Sequence, residues 1–226
     1  MSDQRNTSKL AVPMDRRTLL VGGATGLTLM AAGGLTILGT RPAHAAPQVG
    51  QPAPDFSAVD SNGATQSLSS LRGKTVVLEW TNHDCPFVRK HYNANNMQAL
   101  QREAADAGVV WLSVISSPPG EQGNVSAAEA NELTTKRNAA PTAVLLDPEG
   151  KVARAYTARV TPHMYIINAE GTLLYMGGID SIASTRADDL QKATPYFRDA
   201  LVAVTKGQPI TNAVTRPYGC AVKYSS

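Results

Sequence analysis

One stretch constrains this chain more than any other. An apolar run, Thr75-Val76-Val77-Leu78, leads through Trp80-Thr81-Asn82-His83-Asp84 to Cys85, and Pro86 follows at once. The run reads as a short buried strand. Proline suits the first position of a helix, so Cys85 falls at a helix N-terminus. There the helix dipole and unpaired N–H groups favour a thiolate, the reactive form of cysteine. A buried, inert cysteine is the alternative.

The first 45 residues read as an address label. Asp15-Arg16-Arg17-Thr18-Leu19-Leu20 is a twin-arginine pattern, and an apolar stretch diluted by Gly and Thr runs from Leu19 to about Leu38. Pro42-Ala43-His44-Ala45 supplies an A-x-A cleavage site. An uncleaved anchor is the competing reading, since the stretch approaches the ~20 residues that span a bilayer. Gly22, Gly23, Gly26, Gly33 and Gly34 within it favour cleavage. The expected home is therefore a bacterial periplasm, with no membrane attachment after cleavage.

Removing the label changes the charge argument. Residues 1–45 hold five basic and two acidic side chains of the chain's 21 and 18, which leaves 16 of each. The basic balance belongs to the label, and no basic run with interleaved aromatics remains, which argues against a nucleic-acid surface. The remaining 181 residues suit one domain with a full core. The expected organisation is a signal over 1–45, a domain over 46–206 and a tail over 207–226 that carries Cys220.

Further along, strands are expected near Phe56–Val59, 75–81, Val109–Ser116, Thr142–Leu146, Met164–Asn168 and Thr172–Met176. A helix is expected from Pro86 to about Ala107, weakened in its middle by the Asn93–Asn96 cluster. Ser126-Ala127-Ala128-Glu129 is a capping box that opens another helix to about Arg137. Val152–Tyr156 suits a short helix or a strand, and a last helix runs from about Pro195 to Lys206. Alternating strands and helices, closed by a hairpin and a helix, predict an α/β domain: a mixed central sheet flanked by helices.

With these residues in order, the chain resembles the thioredoxin-like superfamily, and most of all its redoxin branch of peroxiredoxin-like (AhpC/TSA-type) and periplasmic thioredoxin-like proteins. Val49-Gly50-Gln51-Pro52-Ala53-Pro54-Asp55-Phe56 is similar to the N-terminal redoxin extension, and Glu79-Trp80 through Cys85-Pro86 to the nucleophile loop. Val160-Thr161-Pro162 is similar to the loop whose proline is cis in these folds. Asp147-x-x-Gly150 and Asn168-x-x-Gly171 resemble the turns beside it. The resemblance implies a thioredoxin-like fold over roughly Val49 to Lys206 and thiol redox chemistry without a cofactor. Cys85 would be the nucleophile, and Glu79 a buried proton-managing carboxylate or, alternatively, an edge residue facing solvent. Thr161 and Pro162 would shape a groove for a thiol or disulfide partner.

Two departures limit what carries over. Val88 holds the place of the second cysteine of a CxxC motif, so no dithiol forms within the loop. Peroxiredoxins carry a threonine three residues before the nucleophile; here that place is Asn82, with Thr81 one residue off. The peroxidase arginine has no assignment; Arg154 and Arg186 are no more than candidates. Cys220 offers a resolving thiol, in a tail expected to be mobile beside Gly219; a structural disulfide or an unpaired thiol are the alternatives.

Three histidines remain after the label. His83 and His163 are expected to approach Cys85, where an imidazolium would lower the thiol pKa. With Cys85 they form the one metal set worth weighing, for Cu(I) or Zn, although a loop with one cysteine is poor in ligands. His91 is expected to pack on its helix. Asp84, beside Cys85, would work against a low pKa if it pointed inward. The expectation is thus a thiol–disulfide oxidoreductase. A thiol peroxidase acting on peroxides, a copper-binding module and a redox-inactive scaffold are its competitors.

Overall fold

A computed structural model describes residues 46–224, so the twin-arginine pattern, the A-x-A site and the first domain boundary lie outside the described residues. The domain is built on a seven-stranded mixed sheet in the order β2-β1-β5-β4-β3-β7-β8. Its strands are β1 (Ser57–Asp60), β2 (Thr65–Ser67), β3 (Val76–Trp80), β4 (Val110–Ile115), β5 (Ala143–Leu146), β7 (His163–Ile167) and β8 (Leu173–Gly177). Strands β3, β4 and β5 are parallel, and the outer pairings are antiparallel. A separate two-stranded ribbon joins β6 (Val160–Thr161) to β9 (Cys220–Ala221). This is the thioredoxin-like α/β arrangement expected from the strand order.

The central strands are apolar on both faces because both faces are covered. Every residue of β3 and β4 is buried. From β3, Val76, Leu78 and Trp80 enter one core with Phe56, Tyr156 and Tyr165. Val77 enters the opposite core with Cys85, Val88, Trp111, Tyr175 and Phe197. Helices α1 (Pro86–Asn93), α2 (Asn96–Asp106) and α5 (Tyr196–Thr205) pack on the second face, and α4 (Lys151–Ala155) packs on the first. Helix α3 (Ala127–Lys136) opens with the expected capping box, in which Ser126 and Glu129 satisfy each other's backbone N–H. The opening segment lies along the start of β8, with backbone bonds from Gly50 to Leu173 and from Ala53 to Gly171.

Two details differ from the sequence expectation, and a third resolves a choice it left open. The helix after Cys85 is two helices, because Asn95 takes the left-handed conformation (φ 56°) and no helix continues through it. The Val152–Tyr156 segment resolves as helix. The tail is ordered by pairing: Met176 N–H donates to Ala213 O (3.0 Å) and Thr215 N–H to Met176 O (3.2 Å) before the chain reaches β9. No helix among the described residues is long and apolar enough to cross a membrane.

Candidate functional site

Five residues, Thr81–Cys85, separate β3 from α1. Asn82 fixes their shape. Its Oδ1 accepts the Asp84 N–H (2.9 Å), its carbonyl accepts the Cys85 N–H (3.1 Å), and its Nδ2 donates to Gln122 O (3.2 Å). The side chain expected to meet peroxide is thus occupied in holding the turn. Cys85 is the N-cap of α1 with Pro86 at the first helical position, so its side chain sits at the positive end of the helix.

The Cys85 thiol has no exposed surface and donates to Thr161 O (3.2 Å). Thr161 precedes Pro162, and their peptide bond is cis. Burial acts to raise the Cys85 pKa. Hydrogen bonds from the Cys220 thiol, the Val88 amide, the Thr161 hydroxyl and the Cys220 amide outweigh it, and the thiol lies below its ordinary value. Val88, in place of the missing loop cysteine, is fully buried against Cys85 and contributes its backbone N–H instead.

The second thiol reaches the first through the tail. Strand β9 pairs antiparallel with β6 so that Cys220 stands opposite Thr161. The approach requires Gly219: its φ is +139°, and a Cβ there would lie 1.9 Å from Thr161 O. Cys220 is pushed up to about 12 by burial, then by its hydrogen bond to Cys85 and by the charge of Cys85. Both thiols are free. One thiol disposed to ionise and one disposed to keep its proton, both beside Thr161, can support a disulfide exchange. The sequence suggested a mobile tail. Instead Tyr218, two residues before Cys220, donates to Asp180 Oδ1 (2.5 Å), accepts from Lys90 Nζ (2.9 Å) and meets His91 Nε2 (3.3 Å). Lys90 and Asp180 pair at 3.3 Å with almost no exposed surface, so the phenol completes a buried charged cluster.

Glu79 is fully buried. Its carboxyl accepts from Tyr92 OH (2.8 Å), Trp111 Nε1 (2.9 Å), Ser113 Oγ (3.0 Å) and Gln101 Nε2 (3.3 Å). Burial raises its pKa and the four donors lower it in part, leaving a net rise. The reading of Glu79 as a solvent-facing edge residue is therefore wrong, because α1 and α2 cover that face of β3. The four donors escaped sequence reasoning. Helical spacing alone places Val88 and Tyr92 on one face of α1, which was the available signal for Tyr92.

The histidines part company. His163 Nδ1 meets Tyr165 OH (3.1 Å), and burial followed by the Arg159 charge lowers its pKa to about 3. His91, held between Tyr218 and Asn96, is lowered to about 4 by burial and then by Lys90. His83 Nε2 approaches Asp84 Oδ2 (3.4 Å) at the surface. Among the described residues no group of three or more His, Cys, Asp or Glu is gathered for a metal, so Cys85, His83 and His163 do not form a ligand set. Of the two candidate peroxidase arginines, Arg154 stacks over the Tyr224 ring (4.6 Å) and Arg186 stands 3.8 Å from Asp188.

Comparison with known proteins agrees with this fold. Two solved structures share the fold: a hypothetical protein of Sinorhizobium meliloti 1021 (TM-score 0.66, 21% identity, 80% of this chain and 97% of that one) and an uncharacterized conserved protein of Geobacillus kaustophilus (TM-score 0.67, 22% identity, 79% and 93%). The thioredoxin-like protein YneN of Bacillus subtilis (strain 168) is 31% identical over 127 residues, which is 56% of this chain and 69% of that protein. The AhpC/TSA family model matches residues 49–176, from the opening segment through the nucleophile loop and the cis-proline to β8, and the chain belongs to the AhpC/TSA family.

Proposed function

We propose that the protein is a thiol–disulfide oxidoreductase whose redox couple is Cys85 and Cys220. The observation that carries this reading is the pairing of β9 with β6, which puts the tail cysteine opposite Thr161, the residue whose carbonyl accepts from the Cys85 thiol. Family membership and the relative's thioredoxin-like character support it.

The chemistry runs as two exchanges. The Cys85 thiolate attacks one sulfur of a partner disulfide, forming a mixed disulfide and releasing the partner's first thiolate. Cys220 loses its proton and attacks Cys85 Sγ, breaking the mixed disulfide and releasing the partner's second thiolate. Two electrons pass to the partner, and a Cys85–Cys220 disulfide remains for an external dithiol to reduce. Glu79 takes or gives the proton that these steps move. Because Cys85 has no exposed surface, a partner meets the couple where the tail lies against Val160–Thr161. The twin-arginine pattern supports an extracytoplasmic setting, in which such a couple has disulfide partners to act on.

The same pair would serve a peroxidase, with Cys85 taking the distal peroxide oxygen as a sulfenic acid and Cys220 condensing with loss of water. The use of Asn82 in the turn counts against that version. Insulin-type reduction and hydroperoxide reduction, each driven by a dithiol, separate the two. The expected result is disulfide reduction that falls to background in Cys85→Ser and stalls at the mixed disulfide in Cys220→Ser. Peroxide turnover without disulfide turnover would overturn the assignment.

A further inference from the structure

Between α3 and the face of β3, β4 and β5 lies a cavity of about 40 Å³ that does not touch either thiol. Its lining includes Thr81, His83, Tyr92, Ser113 and Arg137. Two of these, Tyr92 and Ser113, are donors to the Glu79 carboxyl, at 2.8 and 3.0 Å. Two others bring polar atoms that no protein group satisfies: Thr81 Oγ1, on a residue 8% exposed, and His83 Nδ1. Leaving such atoms dry is costly, because each forfeits its hydrogen bond to water with nothing in return. A cavity needs about 10–15 Å³ to hold one water, so this one has room for two or three with several polar partners.

We propose that this cavity is a hydrated proton relay joining Glu79 to solvent, with Thr81 and His83 as its positioning residues. The relay rests on the reading above only for its use in turnover; the connection itself stands on the geometry. A water accepts from Thr81 Oγ1 and donates to His83 Nδ1, and its neighbours meet the hydroxyls of Tyr92 and Ser113. His83 carries the path outward, since its Nε2 lies 3.4 Å from Asp84 Oδ2 and its side chain is partly exposed. For a proton leaving Glu79, Tyr92 or Ser113 takes the carboxyl proton and gives its own hydroxyl proton to a water, the Thr81-bound water protonates His83 Nδ1, and His83 Nε2 releases its proton to Asp84 or solvent.

The charged surroundings are consistent with that direction. Around Glu79 the facing groups are Tyr92 from α1, Gln101 from α2, and Trp111 and Ser113 from β4. Arg137, at the end of α3, stacks over the Tyr92 ring (4.7 Å) and donates to His83 O (2.9 Å), which disfavours a resident cation beside it. His83 is faced by Asp84 and, from α3, by Glu129.

The test is hydrogen–deuterium exchange of the Glu79 carboxyl, followed by infrared spectroscopy after transfer of the reduced full chain into D₂O and assigned with Glu79→Gln. Thr81→Val, nearly isosteric and without the hydroxyl, is expected to slow exchange about tenfold or more, and His83→Gln to do the same. Thr81→Ser is expected to restore the rate, which a packing defect would not. Equal exchange in the wild type, Thr81→Val and His83→Gln would overturn the relay. So would a high-resolution crystal structure with no ordered water in the cavity, a readout that does not depend on any variant folding. Normal exchange with unchanged turnover in Glu79→Gln would instead leave the relay standing and remove Glu79 from the reaction.

Discussion

The two segments that meet at the thiols are built in opposite ways. Trp80–Val88 is shaped locally: a buried strand ends, Asn82 ties the turn, and Pro86 opens a helix under Cys85. Thr211–Tyr224 has almost no regular structure of its own. It is held by side chains that reach across the molecule: Thr215 Oγ1 accepts from Gly178 N–H (2.9 Å), Tyr218 enters the Lys90–Asp180 cluster, and the Tyr224 hydroxyl bonds Ala158 O. Cys85 is thus held by the chain next to it, while Cys220 is held by distant contacts. The two arrangements should fail separately.

The largest separation is expected from Gly219→Val. No β-branched residue tolerates that backbone, and the Cβ would overlap Thr161 O, so β9 must leave β6. Closure of the Cys85–Cys220 disulfide, followed by quenched thiol trapping, should slow about a hundredfold, while the turn and helix that carry Cys85 keep their amide-exchange protection. Equal closure rates would mean that the ribbon does not position Cys220.

A smaller effect is expected from Tyr218→Phe. Removing the phenol leaves Lys90 and Asp180 buried with one partner fewer each, a loss of about 2–3 kcal/mol in denaturant unfolding. The change should loosen the tail and slow disulfide closure without moving the Cys85 pKa by more than a few tenths.

The smallest effect is a pH dependence. His91 is neutral in the fold, lowered to about 4 by its buried surroundings, whereas in the unfolded chain it titrates near 6.5. The unfolded state therefore binds the proton first, and stability falls as pH drops from about 6.5 toward 4. Between pH 7 and pH 5 this group should remove on the order of 1–2 kcal/mol, a loss that His91→Gln lacks when unfolding midpoints are compared at the two pH values. His163, lowered to about 3, acts in the same direction and titrates further down.

The contrast also explains what could be read in the sequence. The sheet was legible because its central strands are continuous apolar runs, and the helix at Cys85 because Pro86 marks its start. The break at Asn95 showed only as a weakness, since a left-handed asparagine looks in sequence like any poor helix former. The Glu79 cage was half legible: a carboxylate in an apolar strand stands out, but its donors come from α1, α2 and β4, and only tertiary packing assembles them. Cys220 was visible as a residue and not as a neighbour of Cys85, because the two residues of β9 carry no periodicity and their register is set by Gly219 and Tyr218.

The central claim is that Cys85 and Cys220 are one redox couple. Mass spectrometry of thiol-trapped protein, before and after one equivalent of a small disulfide oxidant, tests it most directly. The account predicts two free thiols before oxidation and, after it, a monomeric chain with a single Cys85–Cys220 disulfide. Two thiols that stay free, or disulfides formed only between chains, would contradict it.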